Sequence, residues 1–147
     1  RIRLDTRRLR TGDNLGFAKW AQRNADDLFQ LGEGRHFGEW AGLGIQRGYG
    51  LPEKTFALFN AKRWALNPNR PACCTTVPVL AEGYIGNPAE HFDAIMADLQ
   101  TNGSRFAPGF MNPEGIVMLH GPSRTMFKKT FDYDEQGKWA ENQKEAA

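Results

Sequence analysis

The sequence has few cysteines, no long apolar run and almost no net charge. Its two cysteines, Cys73 and Cys74, are adjacent, so they cannot supply a disulfide framework, and the three histidines are too scattered to complete a zinc site. We therefore expect free thiols in a reducing, cytoplasmic compartment. Because no apolar run reaches the length of a membrane span and no signal peptide is visible, we expect no membrane association.

The formal net charge of the 147 residues is only +2, which excludes a protein that binds polyanions through bulk charge. Basic residues are nevertheless concentrated in the first ten positions, where a single acid, Asp5, stands among them. Such a cluster can contact phosphates, although a solvated edge is the simpler explanation. The arginines of this cluster are Arg1, Arg3, Arg7, Arg8 and Arg10.

The order of the predicted elements is strand, helix, several strands, helix and hairpin, which indicates an α+β fold with mostly antiparallel sheets and two helices. Apolar spacing predicts the first helix over residues 16–30, and Asn87 with Pro88 predicts the start of the second. A Gly-Pro-Ser turn joins the two strands of the hairpin. The predicted strands cover residues 1–8, 36–40, 55–64 and 77–84, with the hairpin at 115–120 and 125–131.

Two residues of the first half are candidates for contacts with a ligand. Glu39 lies between bulky aromatic residues on a predicted strand, where a half-buried carboxylate needs a partner such as a sugar hydroxyl. The glycine-rich stretch that follows favours a ligand loop, but it is neither a GxGxxG fingerprint nor a P-loop. Phe59 can stack on a nucleobase, since alternation places it on the opposite face from Phe56. An exposed acid and a core ring are the alternatives.

Two residues of the second half are candidates for contacts with phosphate and metal. Glu114 precedes a glycine and an apolar strand, where a carboxylate can hold a divalent metal beside a phosphate. Lys128 and Lys129 are neighbours on a strand, so only one of them can face such a site. A lysine facing the Glu114 strand would supply positive charge for phosphoryl transfer. Turn chemistry and a solvated edge lysine are the simpler alternatives.

Four blocks in this order resemble the ATP-dependent RNA ligases, which form a superfamily of covalent nucleotidyltransferases with DNA ligases and capping enzymes. The blocks are HFGEWAGLGIQRGYGL, FALFNAKRW, PEGIVMLH and MFKKTFD, and the resemblance runs from about Thr6 to Trp139. It implies the ATP-grasp-like core of that family, incomplete at its N-terminus. Residues 1–139 would form the nucleotidyltransferase domain, and residues 140–147 a polar tail.

The resemblance also implies a role for each candidate residue. Glu39 would contact the ribose of AMP, and Phe59 would stack on the adenine. Glu114 would support catalysis with Mg²⁺, and Lys128 would contact the α-phosphate of ATP. Arg7 would bind phosphate or RNA, with Arg8 as the alternative. The implied partner is an RNA or other polynucleotide with 5′-phosphate and 3′-hydroxyl ends, bound by a monomer that acts in RNA repair.

Two departures from the family pattern limit what the resemblance implies. None of the 147 residues stands in a KxDG motif, whose lysine forms the lysyl–AMP intermediate, so we expect that lysine upstream of Arg1. The last motif has Thr130 where the family often has a second lysine, which leaves the α-phosphate contacts open. The alternatives are a non-catalytic module that binds an adenine nucleotide or RNA, and a capping-type guanylyltransferase.

Overall fold

The computed structural model describes residue 13, residues 15–84 and residues 86–131, and the structural statements below concern these residues. The protein is a small mixed α+β fold with two small sheets and few helices. It divides into two compact units, Arg1–Glu82 (unit 1) and Gly83–Ala147 (unit 2). The predicted strand over residues 1–8 and the polar tail over residues 140–147 lie outside the described residues.

The first helical region of unit 1 is a chain of three short helices. Helix α1 spans Phe17–Arg23, α2 spans Ala25–Leu28, and a 3-10 helix spans Phe29–Leu31. The Asp13 carboxylate accepts hydrogen bonds from two backbone N–H groups at the start of α1, at 2.6 and 3.0 Å. These bonds satisfy donors that the first helical turn leaves open. The predicted helix over residues 16–30 is therefore confirmed in position, although Asn24 interrupts it.

The sheet of unit 1 has three short strands in the order β1-β2-β3. Strand β1 spans Gly38–Ala41, β2 spans Thr55–Leu58 and β3 spans Cys74–Thr76. Strands β1 and β2 pair antiparallel, whereas β2 and β3 pair parallel. The prediction of mostly antiparallel pairing therefore holds for β1 and β2 but not for β3.

One face of this sheet packs against the helices and forms the core of unit 1. Leu58 of β2 and Cys74 of β3 are buried there together with Leu31 and Trp64. Beside them four aromatic rings pack with centroids 5.0 to 6.3 Å apart, in the range of favourable aromatic pairs. These rings belong to Phe17, Trp20, Trp40 and Phe56. The helices therefore cover this face of the sheet.

The predictions for the middle of unit 1 were wrong in two places. The strand predicted over residues 55–64 ends at Leu58, because the Asn60 side chain accepts a hydrogen bond from Arg63 N at 3.2 Å and caps helix α3 over Ala61–Trp64. The strand predicted over residues 77–84 does not form; β3 lies earlier in the chain, where it pairs with β2.

Unit 2 contains a long helix and a hairpin, both as predicted. Helix α4 spans Pro88–Asn102, and strands β4 and β5 span Gly115–His120 and Thr125–Thr130. Met96 and Leu99 of the helix are buried. At the C-terminal end of α4, hydrogen bonds from Arg105 and then Asn102 hold the pKa of Asp98 below its ordinary value. In the described part of the chain, no helix is long and apolar enough to cross a membrane.

Candidate functional site

Glu39 and Phe59 lie on the same face of the unit 1 sheet. Glu39 is paired with Ala57 across β1 and β2, and Phe59 follows Ala57 by two residues. The N–H of Phe59 donates to the Phe37 carbonyl at 2.9 Å, which extends the antiparallel pairing one step beyond β2. Paired residues and residues two apart share a face, so Glu39, Ala57 and Phe59 all point away from the helices.

The exposure of the side chains differs along this face. Ala57 is fully buried, while Glu39 and Phe59 are half-buried and Phe37 is half exposed. Neither Phe59 nor Phe37 takes part in a ring contact with another described residue, whereas the rings on the opposite face pack on one another. An aromatic ring at this position therefore has a face that a planar ligand can cover.

The glycine-rich loop after β1 is more ordered than its composition indicates. The carbonyls of Gly42 and Gly48 accept hydrogen bonds from Ile45 N and Leu51 N at 3.1 and 3.0 Å, so the loop is two successive turns. Gly42 has φ 124°, and a Cβ there would lie 2.1 Å from the Glu53 carbonyl oxygen. The loop therefore packs closely on the segment that enters β2.

Two residues of this loop were not candidates in the sequence. Arg47 and Tyr49 have left-handed backbone conformations, with φ of 52° and 54°, and both side chains are half-buried. Left-handed conformations are uncommon for residues other than glycine, and they concentrate at ligand-binding segments. The run Gln-Arg-Gly-Tyr-Gly carried no signal for this, because the backbone of Arg47 is held by its neighbours and not by its own preference.

Glu114 and Lys128 form an ion pair in unit 2, with 2.6 Å between Lys128 Nζ and Glu114 Oε1. Regular alternation along the strands would keep these two side chains apart. Lys128 is paired with Val117, whereas Glu114, two residues before Ile116, would lie on the opposite face with Ile116. Gly115 changes the direction of the chain between them. It has φ 148°, and a Cβ there would lie 2.0 Å from the Lys129 carbonyl oxygen, so only glycine fits this bend.

Lys129 lies on the other face of β5, as alternation requires. Its Nζ is 2.6 Å from Asp93 Oδ1 on helix α4. The prediction that only one lysine of the doublet can face Glu114 is confirmed, and that lysine is Lys128. The Lys128 side chain is about half exposed.

Glu114 is the candidate metal ligand, and its Oε1 accepts a hydrogen bond from Lys128. Among the residues that the structure describes, no three His, Cys, Asp or Glu side chains lie close enough to hold a metal ion. Magnesium is commonly held by one or two carboxylates together with substrate phosphates and water. A single carboxylate beside a lysine therefore fits a metal ion that arrives with a nucleotide.

The structure brings the candidates together in two pairs, Glu39 with Phe59 in unit 1 and Glu114 with Lys128 in unit 2. Arg7 and Arg8, the candidates for phosphate or RNA binding, lie outside the described residues. Comparison of the chain with protein-family models, with curated proteins and with solved structures gives no match. The functional assignment therefore rests on these two pairs and on the motifs that contain them.

Proposed function

We propose that this chain is the nucleotide-binding core of an ATP-dependent polynucleotide ligase of the RNA ligase type. The observation that carries the proposal is the grouping of four candidates, chosen from separate sequence blocks, into two pairs of complementary chemistry. A carboxylate and an unstacked ring on one sheet face suit the ribose and base of a nucleoside. A lysine beside a carboxylate suits a phosphate and its metal ion.

In the proposed reaction a lysine of a KxDG motif attacks the α-phosphate of ATP, and pyrophosphate leaves. The AMP then passes to a 5′-phosphate end, and a 3′-hydroxyl displaces it as the strand is sealed. In the roles that the resemblance implies, Glu39 and Phe59 of unit 1 would hold the nucleoside in a fixed position, and Lys128 of unit 2 would contact the α-phosphate. A magnesium ion held by Glu114 would neutralise further phosphate charge.

The 147 residues contain no KxDG motif, so the test is made at the binding step. Titration of the chain with ATP, followed by calorimetry, measures the affinity. Glu39→Ala removes hydrogen bonds to a charged acceptor worth about 1.5–3 kcal/mol, which corresponds to a loss of roughly 10- to 150-fold in affinity. The same variant should bind ATP and its 2′- and 3′-deoxy analogues equally, whereas the wild type should discriminate against at least one analogue.

Glu33→Ala is the matched control, because Glu33 is an exposed loop acid of the same unit. It should leave ATP affinity unchanged, and thermal melting of both variants checks that they are folded. Equal ATP affinity of the Glu39 and Glu33 variants would remove the basis for the ribose assignment.

The absence of a KxDG motif also favours a second candidate, a module that binds an adenine nucleotide without reacting with it. The two functions share the site and differ in covalent chemistry. A protein that carries the KxDG lysine together with these residues forms a radiolabelled adduct from ATP under the first proposal, and none under the second. A labelled adduct from GTP alone would instead identify a capping-type guanylyltransferase.

A further inference from the structure

The segment that follows the proposed adenine contact is basic and contains no acid. Between Lys54 and Ala81 the sequence has four basic residues and neither aspartate nor glutamate. Three of the four lie on α3, which begins at Ala61 shortly after Phe59 in the chain, or in the loop that follows this helix. They are Lys62, Arg63 and Arg70.

The two arginines of this segment are held in place around one residue, Trp64. The Arg63 guanidinium lies over the Trp64 ring, 4.5 Å from its centroid, and its Nη2 donates to the Leu31 carbonyl at 3.1 Å. Arg70 Nη1 donates to the carbonyls of Trp64 and Ala65 at 3.3 and 3.0 Å. Trp64 is itself buried in the core of unit 1, so both guanidinium groups contact a residue that is fixed by core packing.

Neither arginine is neutralised by a carboxylate in the described part of the chain. In unit 2, by contrast, Lys128, Lys129 and Arg105 form ion pairs. Arg63 and Arg70 instead use one nitrogen each on backbone carbonyls and keep their other N–H donors for a ligand.

We propose that Lys62, Arg63 and Arg70 form a docking surface for the phosphodiester backbone of a single-stranded polynucleotide. Fixed guanidinium groups bind phosphate oxygens with little loss of side-chain freedom, and Lys62 adds an exposed charge on the helix that carries Arg63. The inference rests on the proposed function, because it assigns a surface to the polynucleotide of that reaction. It differs from the ATP site in residues and in chemistry.

The test is binding of a fluorescent single-stranded RNA to the whole chain, measured by anisotropy at several salt concentrations. Each phosphate contact on a single strand contributes about 0.7 to the slope of log affinity against log salt. Lys62→Gln should therefore lower the slope by about 0.7 and weaken binding roughly fivefold at about 0.1 M salt. Arg63→Gln with Arg70→Gln should lower it by about 1.4 and weaken binding roughly 25-fold.

Arg124→Gln is the matched control, since Arg124 is an exposed arginine in the turn of the unit 2 hairpin. It should bind RNA with the wild-type slope. Because Arg63 and Arg70 also hold backbone carbonyls, circular dichroism checks the fold of the double variant. Lys62 is exposed and forms no hydrogen bond or ion pair with another described residue, so Lys62→Gln decides the question if the double variant unfolds.

Three outcomes separate the possibilities. Reduced salt slopes with unchanged ATP affinity support the surface, even if the ATP site itself fails its own test. Wild-type slopes in Lys62→Gln and in a folded double variant overturn it. Binding of a polyglutamate peptide with the same dependence on Lys62, Arg63 and Arg70 also overturns it, because the surface would then accept any polyanion.

Discussion

At the scale of single residues, burial decides the chemistry of Cys73 and Cys74. Their sulfur atoms are 4.0 Å apart, and both are free thiols, as the sequence predicted. Burial, followed by the charge of Cys73, raises the pKa of Cys74 from 9.0 to about 12. Burial also raises the pKa of Cys73. Because the thiolate is the reactive form, the raised pKa of each thiol disfavours nucleophilic attack near neutral pH.

Because the pKa of Cys74 is raised, the free energy of unfolding should depend on pH in the alkaline range. Below pH 9.0 the thiol is protonated in both the folded and the unfolded chain, so it adds no pH dependence. Between 9.0 and about 12 the unfolded chain loses this proton while the folded protein keeps it, so the free energy of unfolding should fall as pH rises. Urea denaturation on both sides of pH 9.0 measures this effect.

Cys74→Ala is the variant that isolates the contribution of this thiol. It should lower stability near neutral pH through lost packing, and it should show a smaller decline above pH 9.0 than the wild type. An equal alkaline decline in the two proteins would mean that other groups cause it.

Residue-level alternation was the most reliable information in the sequence. It correctly separated Phe59 from Phe56 and Lys128 from Lys129, because side chains of a strand alternate whatever the strand pairs with. It could not foresee the contact of Lys128 with Glu114, since that contact depends on the bend at Gly115. The left-handed backbones of Arg47 and Tyr49 were equally hidden, because neighbouring residues impose them.

At the scale of elements, the hairpin of β4 and β5 depends on Gly115. A Cβ at this position would lie 2.0 Å from the Lys129 carbonyl oxygen, and φ is 148°. Gly115→Ala should therefore lower the free energy of unfolding by at least about 1–3 kcal/mol. It should also separate Lys128 from Glu114. A shift of the Lys128 side-chain resonances in an NMR spectrum would report this separation.

Gly121→Ala is the matched control for the hairpin, because a Cβ there meets nothing within 4 Å. It should change the free energy of unfolding by less than about 1 kcal/mol. Equal stability of the Gly115 and Gly121 variants would show that the bend tolerates a side chain and does not fix the ion pair.

Elements with local signals were predicted well, and those that depend on distant partners were not. Helix α4 has a proline in its first turn and an apolar stripe, and the hairpin has its own turn, so both could be read from adjacent residues. Strand β3 exists because β2 is available for parallel pairing across the intervening α3. The run over residues 77–84 has strand-like composition but lies outside the described sheets.

At the scale of the whole molecule, two compact units each have buried residues of their own. Leu58 is 1% exposed in the core of unit 1, so Leu58→Ala should cost about 2–5 kcal/mol through the cavity that it leaves. Hydrogen exchange should show faster exchange in β1, β2 and β3. Leu66→Ala is the control, since Leu66 is 97% exposed and its removal leaves no cavity. Similar exchange rates in both variants would contradict the assigned core.

The claim that this chain binds an adenine nucleotide is tested most directly by titrating ATP into the wild type, Phe59→Ala and Phe29→Ala. Phe29 is an exposed ring of the same unit, on the 3-10 helix, and serves as the matched control. We expect saturable binding of ATP to the wild type. Affinity should weaken roughly 5- to 150-fold in Phe59→Ala, which corresponds to the loss of about 1–3 kcal/mol of base stacking, and it should stay unchanged in Phe29→Ala. No saturable binding, or equal effects of the two substitutions, would contradict it.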